Sequence, residues 1–183
     1  MTYFQELAAQ FANPVTAIAQ ILGFIPVILG YFIFHYNNRI VSITIKGIAD
    51  FISAVHFLLL GQVTGCAINC VNTFRGICFA QKGHYQWASG IHMPIIFCLF
   101  TVASSLIGWN GIISLFPMLG SCLAVIGYWC KDPSYLRRFN FGGIFLWLIY
   151  GILTFSVPTM VGNVISLFSI IATEVRINKE KSV

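Results

Sequence analysis

A chain of 183 residues that is 58% hydrophobic and only 8% charged has too few ionisable side chains to cover a water-soluble surface. Its mean hydropathy of +0.86 instead predicts an all-α integral membrane protein whose outer surface faces the lipid bilayer. The formal net charge of +5 does not indicate a nucleic-acid partner, because the basic residues are scattered between apolar runs, as expected beside an anionic leaflet.

Residues 1–14 are predicted to lie at the membrane interface, ahead of the first span. Within them, residues 3–11 have the pattern of a short amphipathic helix. The first 13 residues contain Glu6 but no Lys or Arg, which is unlike the basic start of a cleavable signal peptide.

Apolar runs of roughly 20 residues predict seven membrane-spanning helices, separated by turns rich in Gly, Pro and Asn. Because the third, sixth and seventh runs are short or polar, six spans are the alternative count. The predicted spans are residues 16–34, 42–60, 64–79, 87–107, 112–129, 141–155 and 159–177.

The basic residues favour seven spans. All ten lie at or nearest to the helix ends that seven alternating spans place on one side, and the positive-inside rule makes that side cytoplasmic. The N-terminus then lies outside the cytoplasm, and residues 178–183 form a cytoplasmic tail. The ten are Arg39, Lys46, Arg75, Lys82, Lys131, Arg137, Arg138, Arg176, Lys179 and Lys181.

The chain contains a weak internal repeat, in which residues 20–32 are echoed by residues 117–129. A constant spacing pairs Gly23 with Gly120, Gly30 with Gly127 and Tyr31 with Tyr128, and a slightly shorter one pairs His56 with Tyr150 and Asn69 with Asn163. The repeat predicts two parallel three-helix bundles, residues 15–80 and 112–177, joined by a linker helix at 87–107 that inverts the direction. Such repeats commonly enclose a solute site at their interface.

Ionisable residues inside spans are costly and need a partner or a cavity. Asp50, about two turns from the cytoplasmic end of its predicted helix, can reach Arg75 on the next helix. This pair is either a structural lock or part of the solute path and its gate, and both alternatives stay open. His56 is similarly either a packing residue or a proton carrier.

Uncharged polar residues indicate where a polar solute would bind. Asn69 and Asn72 on the third span, and Asn163 and Ser166 on the seventh, form stripes on helices that the repeat makes equivalent. Amides and hydroxyls both donate and accept hydrogen bonds without the desolvation cost of a charge. Hydrogen bonding between helices is the alternative role. The aromatic wall of such a cavity is predicted to be Trp147 with Tyr150.

The pattern of reactive residues argues against enzymatic function and against cofactors. Neither a nucleophile–base pair nor a Gly-rich nucleotide loop emerges from the sequence. The six cysteines lie in or beside apolar runs without a second paired motif, so no metal site is predicted.

Two short segments and the predicted helix plan resemble known membrane-protein families. His56-Phe-Leu-Leu-Leu-Gly61 and Asn72-Thr-Phe-Arg75 are similar to the pattern of YgjV-type bacterial inner-membrane proteins, which implies that membrane as the location. The three-plus-one-plus-three plan also resembles the SWEET transporters and their PQ-loop relatives. That likeness implies solute contacts at Asn69 and Asn163, although Ala19-Gln20 and Phe116-Pro117 stand where the Pro-Gln signature is expected.

The sequence therefore predicts a SWEET-like transporter or facilitator of an unknown small polar solute, working by alternating access around a central site. The alternative is a membrane receptor or assembly protein that binds a peptide or lipid in the same bundle without transporting it. A homo-oligomer is open as well, because Gly142-Gly143 and the Gly61, Gly65 pair suit helix contacts within or between protomers.

Overall fold

The computed structural model describes residues 2–33, 39–130 and 133–181. Apart from one isolated bridge between Lys82 and Tyr85, the regular structure in these ranges is helical, which confirms the all-α prediction. The helices are α1 (Tyr3–Ala12), α2 (Pro14–Ile33), α3 (Arg39–Leu59), α4 (Val63–Ala80), α5 (Gln86–Ser89), α6 (His92–Ser105), α7 (Leu115–Trp129), α8 (Pro133–Leu153) and α9 (Val157–Lys181), and a 3-10 turn at Gly111–Ser114 precedes α7.

Several helices are longer than the apolar runs within them. Helix α3 begins at Arg39, α8 begins at Pro133 rather than at residue 141, and α9 continues to Lys181 through most of the predicted tail. Hydropathy locates only the apolar part of a helix, whereas Arg and Lys are good helix formers that extend it. The predicted break after residue 34, and Lys131 in the break before α8, lie outside the described residues.

The predicted fourth span is interrupted. Residues 87–107 form the single turn α5 and then, after a bend at Gly90, the 14-residue helix α6. At 1.5 Å per residue α6 is about 21 Å long, shorter than the ~30 Å of a hydrocarbon core.

By length and composition, two helices of the described chain can cross a membrane, Gly111–Trp129 and Val157–Ile177. A third span results if Gln5–Ala12 and Pro14–Gly30, which meet at a bend of 98°, count as one. Helices such as α3 and α4 carry buried ionisable side chains that lower their hydropathy, among them Asp50 and Arg75. Seven spans therefore stay a prediction.

The long helices contact each other in a closed cycle. Helices α2, α3 and α4, here the first trio, pack in chain order, and so do α7, α8 and α9, the second trio. Contacts of α4 with α7 and of α9 with α2 join the trios, and α6 packs against both α4 and α7. An apolar core of Phe79, Met93, Phe97 and Val125 fixes this last contact.

Glycines allow the closest helix contacts within each trio. A β-carbon on Gly143 of α8 would lie 2.7 Å from the carbonyl oxygen of Gly120 on α7. One on Gly76 of α4 would lie 3.5 Å from the α-carbon of Gly47 on α3. The sequence left open whether Gly143 contacts a helix of the same protomer or of another one. The structure shows a contact within the protomer.

Helix α1 folds across one end of the bundle. It continues into α2 through the bend near Asn13, yet its Tyr3 hydroxyl donates to the carbonyl oxygen of Ile152 on α8 at 3.2 Å. The Tyr3 ring also packs on Phe155, with centroids 4.8 Å apart. The Tyr3 phenol is protonated and donates at neutral pH because its ordinary pKa is about 10, and partial burial raises that pKa further.

Candidate functional site

A small polar cluster lies where the two trios meet. Ser121 on α7 accepts hydrogen bonds from the Asn72 amide of α4 at 3.3 Å and from the Trp147 indole of α8 at 3.2 Å. Ser121 and Asn72 are buried, at 0% and 5% exposure. Amide, hydroxyl and indole groups thus converge from three helices of both trios, and we call these three residues the central cluster.

A charged group lies beside the central cluster. On α3, Lys46 forms an ion pair with Oδ1 of Asp50, one helical turn further on. The other carboxylate oxygen of Asp50 faces Nη2 of Arg75 at 3.9 Å, and the Arg75 guanidinium lies over the Tyr128 ring of α7, 5.1 Å from its centroid. The Asp50–Arg75 pair predicted from the sequence is therefore present, with Lys46 as the closer partner of Asp50.

Asp50 lies deeper in its helix than the sequence suggested. Because α3 begins at Arg39, Asp50 is about 16 Å, or three turns, along it and close to its midpoint. Arg75, on α4, is one to two turns from the end of its helix at Ala80, as predicted.

Three buried side chains of this region hold polar atoms that make no hydrogen bond within the described chain. They are Oδ2 of Asp50, Oδ1 of Asn72 and Nη1 of Arg75. All three residues are at most 5% exposed. A buried polar atom without a partner costs free energy, and native proteins usually satisfy such atoms with protein, water or ligand. These atoms therefore mark where a bound solute would be stabilised most.

Aromatic rings close the central cluster on the side of the α3–α4 turn. Phe57 of α3 packs against Trp147 and Tyr150 of α8, with ring centroids 5.8 and 5.4 Å apart. The Tyr150 hydroxyl accepts a hydrogen bond from the Gly65 backbone N–H in the first turn of α4 at 3.1 Å. A β-carbon on Gly65 would lie 2.8 Å from that hydroxyl oxygen, so this close contact requires glycine.

His56 and Gln20 join the trios on the same side of the bundle. His56 is hydrogen bonded through Nδ1 to the Ala19 carbonyl oxygen at 2.6 Å and through Nε2 to the Ser156 hydroxyl at 2.7 Å. Because a carbonyl only accepts, Nδ1 carries a proton, and Ser156 can meet Nε2 as either donor or acceptor. The Gln20 amide donates to the Phe155 carbonyl at 2.7 Å and accepts from the Val157 N–H at 3.1 Å.

The remaining predicted contacts are placed differently. Asn69 is buried, but its amide donates to the Gly65 carbonyl one turn earlier in its own helix, at 2.8 Å. Ser166 likewise donates to Gly162 at 2.8 Å, and Asn163 is half-buried on α9. The structure brings Asn72 and Trp147 together, with Tyr150 beside them, whereas Asn163 and Ser166 lie on α9, which packs against α2 and α8. Their role in binding stays a prediction.

Sequence reasoning missed Ser121, Tyr128, the hydrogen bonds of Gln20 and the pairing of Lys46 with Asp50. Two signals were available: Ser121 follows Gly120 inside the repeated segment, and Lys46 precedes Asp50 by four residues, the spacing of an ion pair along a helix. Nothing in the spacing of Tyr128 indicates its contact with Arg75, which depends on how α4 and α7 cross. Within the described residues, no group of three His, Cys, Asp or Glu side chains is placed to hold a metal ion.

Comparison with known proteins assigns the family. The family model Imp-YgjV, described as a bacterial inner membrane protein, matches residues 17–181. No curated protein and no solved structure matches the chain. Because the match covers most of its length, the chain belongs to this family, and the inner-membrane assignment is confirmed.

Proposed function

We propose that this member of a bacterial inner-membrane family is a small-solute transporter or facilitator. The first and second trios rock against each other, so that the central cluster opens to the two faces of the membrane in turn. The observation that carries the proposal is that Asn72, Ser121 and Trp147 bring uncharged hydrogen-bonding groups from both trios to one buried place.

The cycle of helix contacts supports a two-fold arrangement. If the repeat pairs α2 with α7, α3 with α8 and α4 with α9, the contact of α9 with α2 becomes the counterpart of the contact of α4 with α7. The linker helix α6 then lies beside one of the two junctions. This is the pattern expected of parallel repeats around an axis along the membrane normal. It supports a seven-span topology, and the distribution of basic residues then gives the proposed periplasmic N-terminus.

The contacts between the trios divide into two groups with different roles. Those around Asn72 and Arg75 hold the solute site, and those on the side of the α3–α4 turn form the outer gate: the Phe57, Trp147 and Tyr150 rings and the His56–Ser156 bond. In the structure the site residues are buried, so a solute enters only after the gate separates. Asn69, Asn163 and Ser166 are proposed to line the path in states in which the trios have moved.

A reversible lock across the outer gate tests the proposal. The hydroxyl oxygens of Thr64 on α4 and Ser114 before α7 lie 3.2 Å apart, so cysteines at both positions are close enough to be linked by a disulfide. The host for Thr64→Cys and Ser114→Cys is a variant whose six native cysteines are replaced. Radiolabelled solute uptake into proteoliposomes is expected to stop on oxidation and to return with reductant.

The control is the Thr64→Cys variant alone, which oxidation should leave active. Uptake that continues at full rate through the oxidised double variant would contradict alternating access at this gate. Solute binding without uptake by any variant would favour the receptor alternative over transport.

A further inference from the structure

We propose that the solute bound between the trios is a small monocarboxylate with a hydrogen-bond donor next to the carboxylate, such as a hydroxy acid or an amino acid. This inference rests on the proposed function, because it assigns the substrate class of the same site. The juxtaposition that carries it is a buried guanidinium with a free N–H beside a buried amide with a free carbonyl oxygen.

The charges around Arg75 leave a positive excess. Lys46 is ion paired with Oδ1 of Asp50, so the one carboxylate already has a close cationic partner. Arg75 reaches the other oxygen only at 3.9 Å, beyond hydrogen-bond length, and its side chain is 4% exposed. Among the described residues two cations thus share one anion. The Lys46 side chain is 33% exposed, so the charge buried without full compensation is that of Arg75, and such burial is costly. A carboxylate on the solute would balance the excess, whereas a neutral sugar would not.

The free atoms specify the rest of the solute. Nη1 of Arg75 is a donor that can reach an anionic oxygen, because guanidinium and carboxylate are matched in geometry. Oδ1 of Asn72 is an acceptor and requires an O–H or N–H. Asn72 and Arg75 are three residues apart on α4, so they lie on one face about one turn apart. One small solute that carries both a carboxylate and a donor can therefore contact Arg75 and Asn72 together.

The test measures binding to the full-length protein in detergent micelles, with lactate, lactamide, propionate and glucose as probes. Lactate and lactamide differ in the charge, and lactate and propionate differ in the hydroxyl donor. Lactate is expected to raise the unfolding temperature most, propionate less, and lactamide and glucose least. Sodium chloride at the same concentration corrects for ionic strength.

Two substitutions are expected to change lactate affinity in opposite directions. Arg75→Gln removes the charged donor and should weaken lactate binding about tenfold or more. Asp50→Asn removes the competing carboxylate and should tighten it by roughly threefold or more. Arg138→Gln, at an exposed position of α8, is the matched control and should leave affinity unchanged. Each variant is first checked for cooperative unfolding, and Arg75→Met, which also removes the charge and the donors, replaces Arg75→Gln if the latter does not fold.

The outcomes separate this inference from the proposed function. If glucose or lactamide binds as tightly as lactate, the substrate class is wrong. If Asp50→Asn weakens lactate binding as much as Arg75→Gln does, the substrate class is wrong as well, and the Asp50–Arg75 pair is a structural lock. If a neutral solute is transported and the gate disulfide blocks that transport, the proposed transport function is supported and the monocarboxylate substrate class is rejected. Lactate binding with the expected variant pattern, but with no uptake, would support the class and overturn transport.

Discussion

Ser121 shows how one hydroxyl connects three helices. It accepts from the buried Asn72 amide and from the half-buried Trp147 indole, where the two trios are in contact. The indole N–H of Trp147 can only donate, so it needs an acceptor, and rotating the ring does not turn it into one. The stability of the central cluster therefore depends on Ser121 more than its size suggests.

We expect Ser121→Ala to lower the free energy of unfolding by about 2 kcal/mol, because it leaves the buried Asn72 amide and the half-buried Trp147 indole without their acceptor. Chemical unfolding in mixed micelles, followed by tryptophan fluorescence, measures the change. Ser169→Ala on the exposed face of α9 is the control, with an expected effect below about 0.5 kcal/mol. Equal effects of the two substitutions would show that the hydrogen bonds of Ser121 contribute nothing.

At this scale the sequence identified residues better than it identified partners. The free-energy cost of placing an ionisable side chain inside a membrane span singled out Asp50 and Arg75. Their pairing follows from the helix positions alone. The partners of Asn69 and Asn163, which the repeat makes equivalent, could not be predicted from helix positions. A side-chain amide can instead donate to its own helix, as Asn69 does to Gly65. Whether an amide turns outward is decided by the neighbouring helix, which a single sequence does not show.

Close helix contacts give a prediction at the scale of the elements. Gly143→Ala should lower the free energy of unfolding by about 1–3 kcal/mol, because its β-carbon meets a backbone oxygen of α7, which cannot rotate away. The measurement is the unfolding midpoint of the purified protein. The two helices would have to separate, which also moves Trp147 away from Ser121.

The adjacent glycine supplies the control. A β-carbon on Gly142 would meet only the Leu123 Cδ1 atom at 3.3 Å, the far end of a flexible side chain. Gly142→Ala should be neutral or stabilising by up to about 1 kcal/mol, since alanine is the better helix former. If Gly142→Ala proves as harmful as Gly143→Ala, the close approach of α7 and α8 is not what requires glycine.

The elements themselves were predictable, and their lengths were not. Apolar runs located α2 and α4 within two residues and α7 within three, because these helices begin and end near Gly, Pro or polar turns. Helix α8 starts well before its apolar run, since Arg137 lies in its first turns and pairs with Glu174 on α9 at 2.5 Å. Tertiary pairing of this kind keeps charged residues helical where hydropathy predicts a loop.

For the whole molecule, the direction of the helices is the decisive property. Single cysteines in a cysteine-free variant can be labelled with a membrane-impermeant maleimide. Gln5→Cys and Asn110→Cys should react in cells whose outer membrane alone is permeabilised. His84→Cys and Lys179→Cys should react only after the inner membrane is opened as well, because the basic side of the bundle is cytoplasmic.

Reaction of Gln5→Cys and Lys179→Cys from the same side would mean an even number of spans. The trios would then run in opposite directions, and the proposed parallel repeat would be wrong.

The sequence predicted the helical class and the membrane location, since both follow from composition. The inward orientation of the polar faces of α3 and α4 required the structure, because it depends on which helices are neighbours.

The path of helix α1 has a mechanical consequence. It is covalently continuous with the first trio but hydrogen bonded to α8 of the second through Tyr3. Separation of the trios at that end would break this hydrogen bond, so we expect α1 to resist it. We expect Tyr3→Phe to weaken that resistance while keeping the ring contact with Phe155, and a bulky tag at the N-terminus to disturb the attachment.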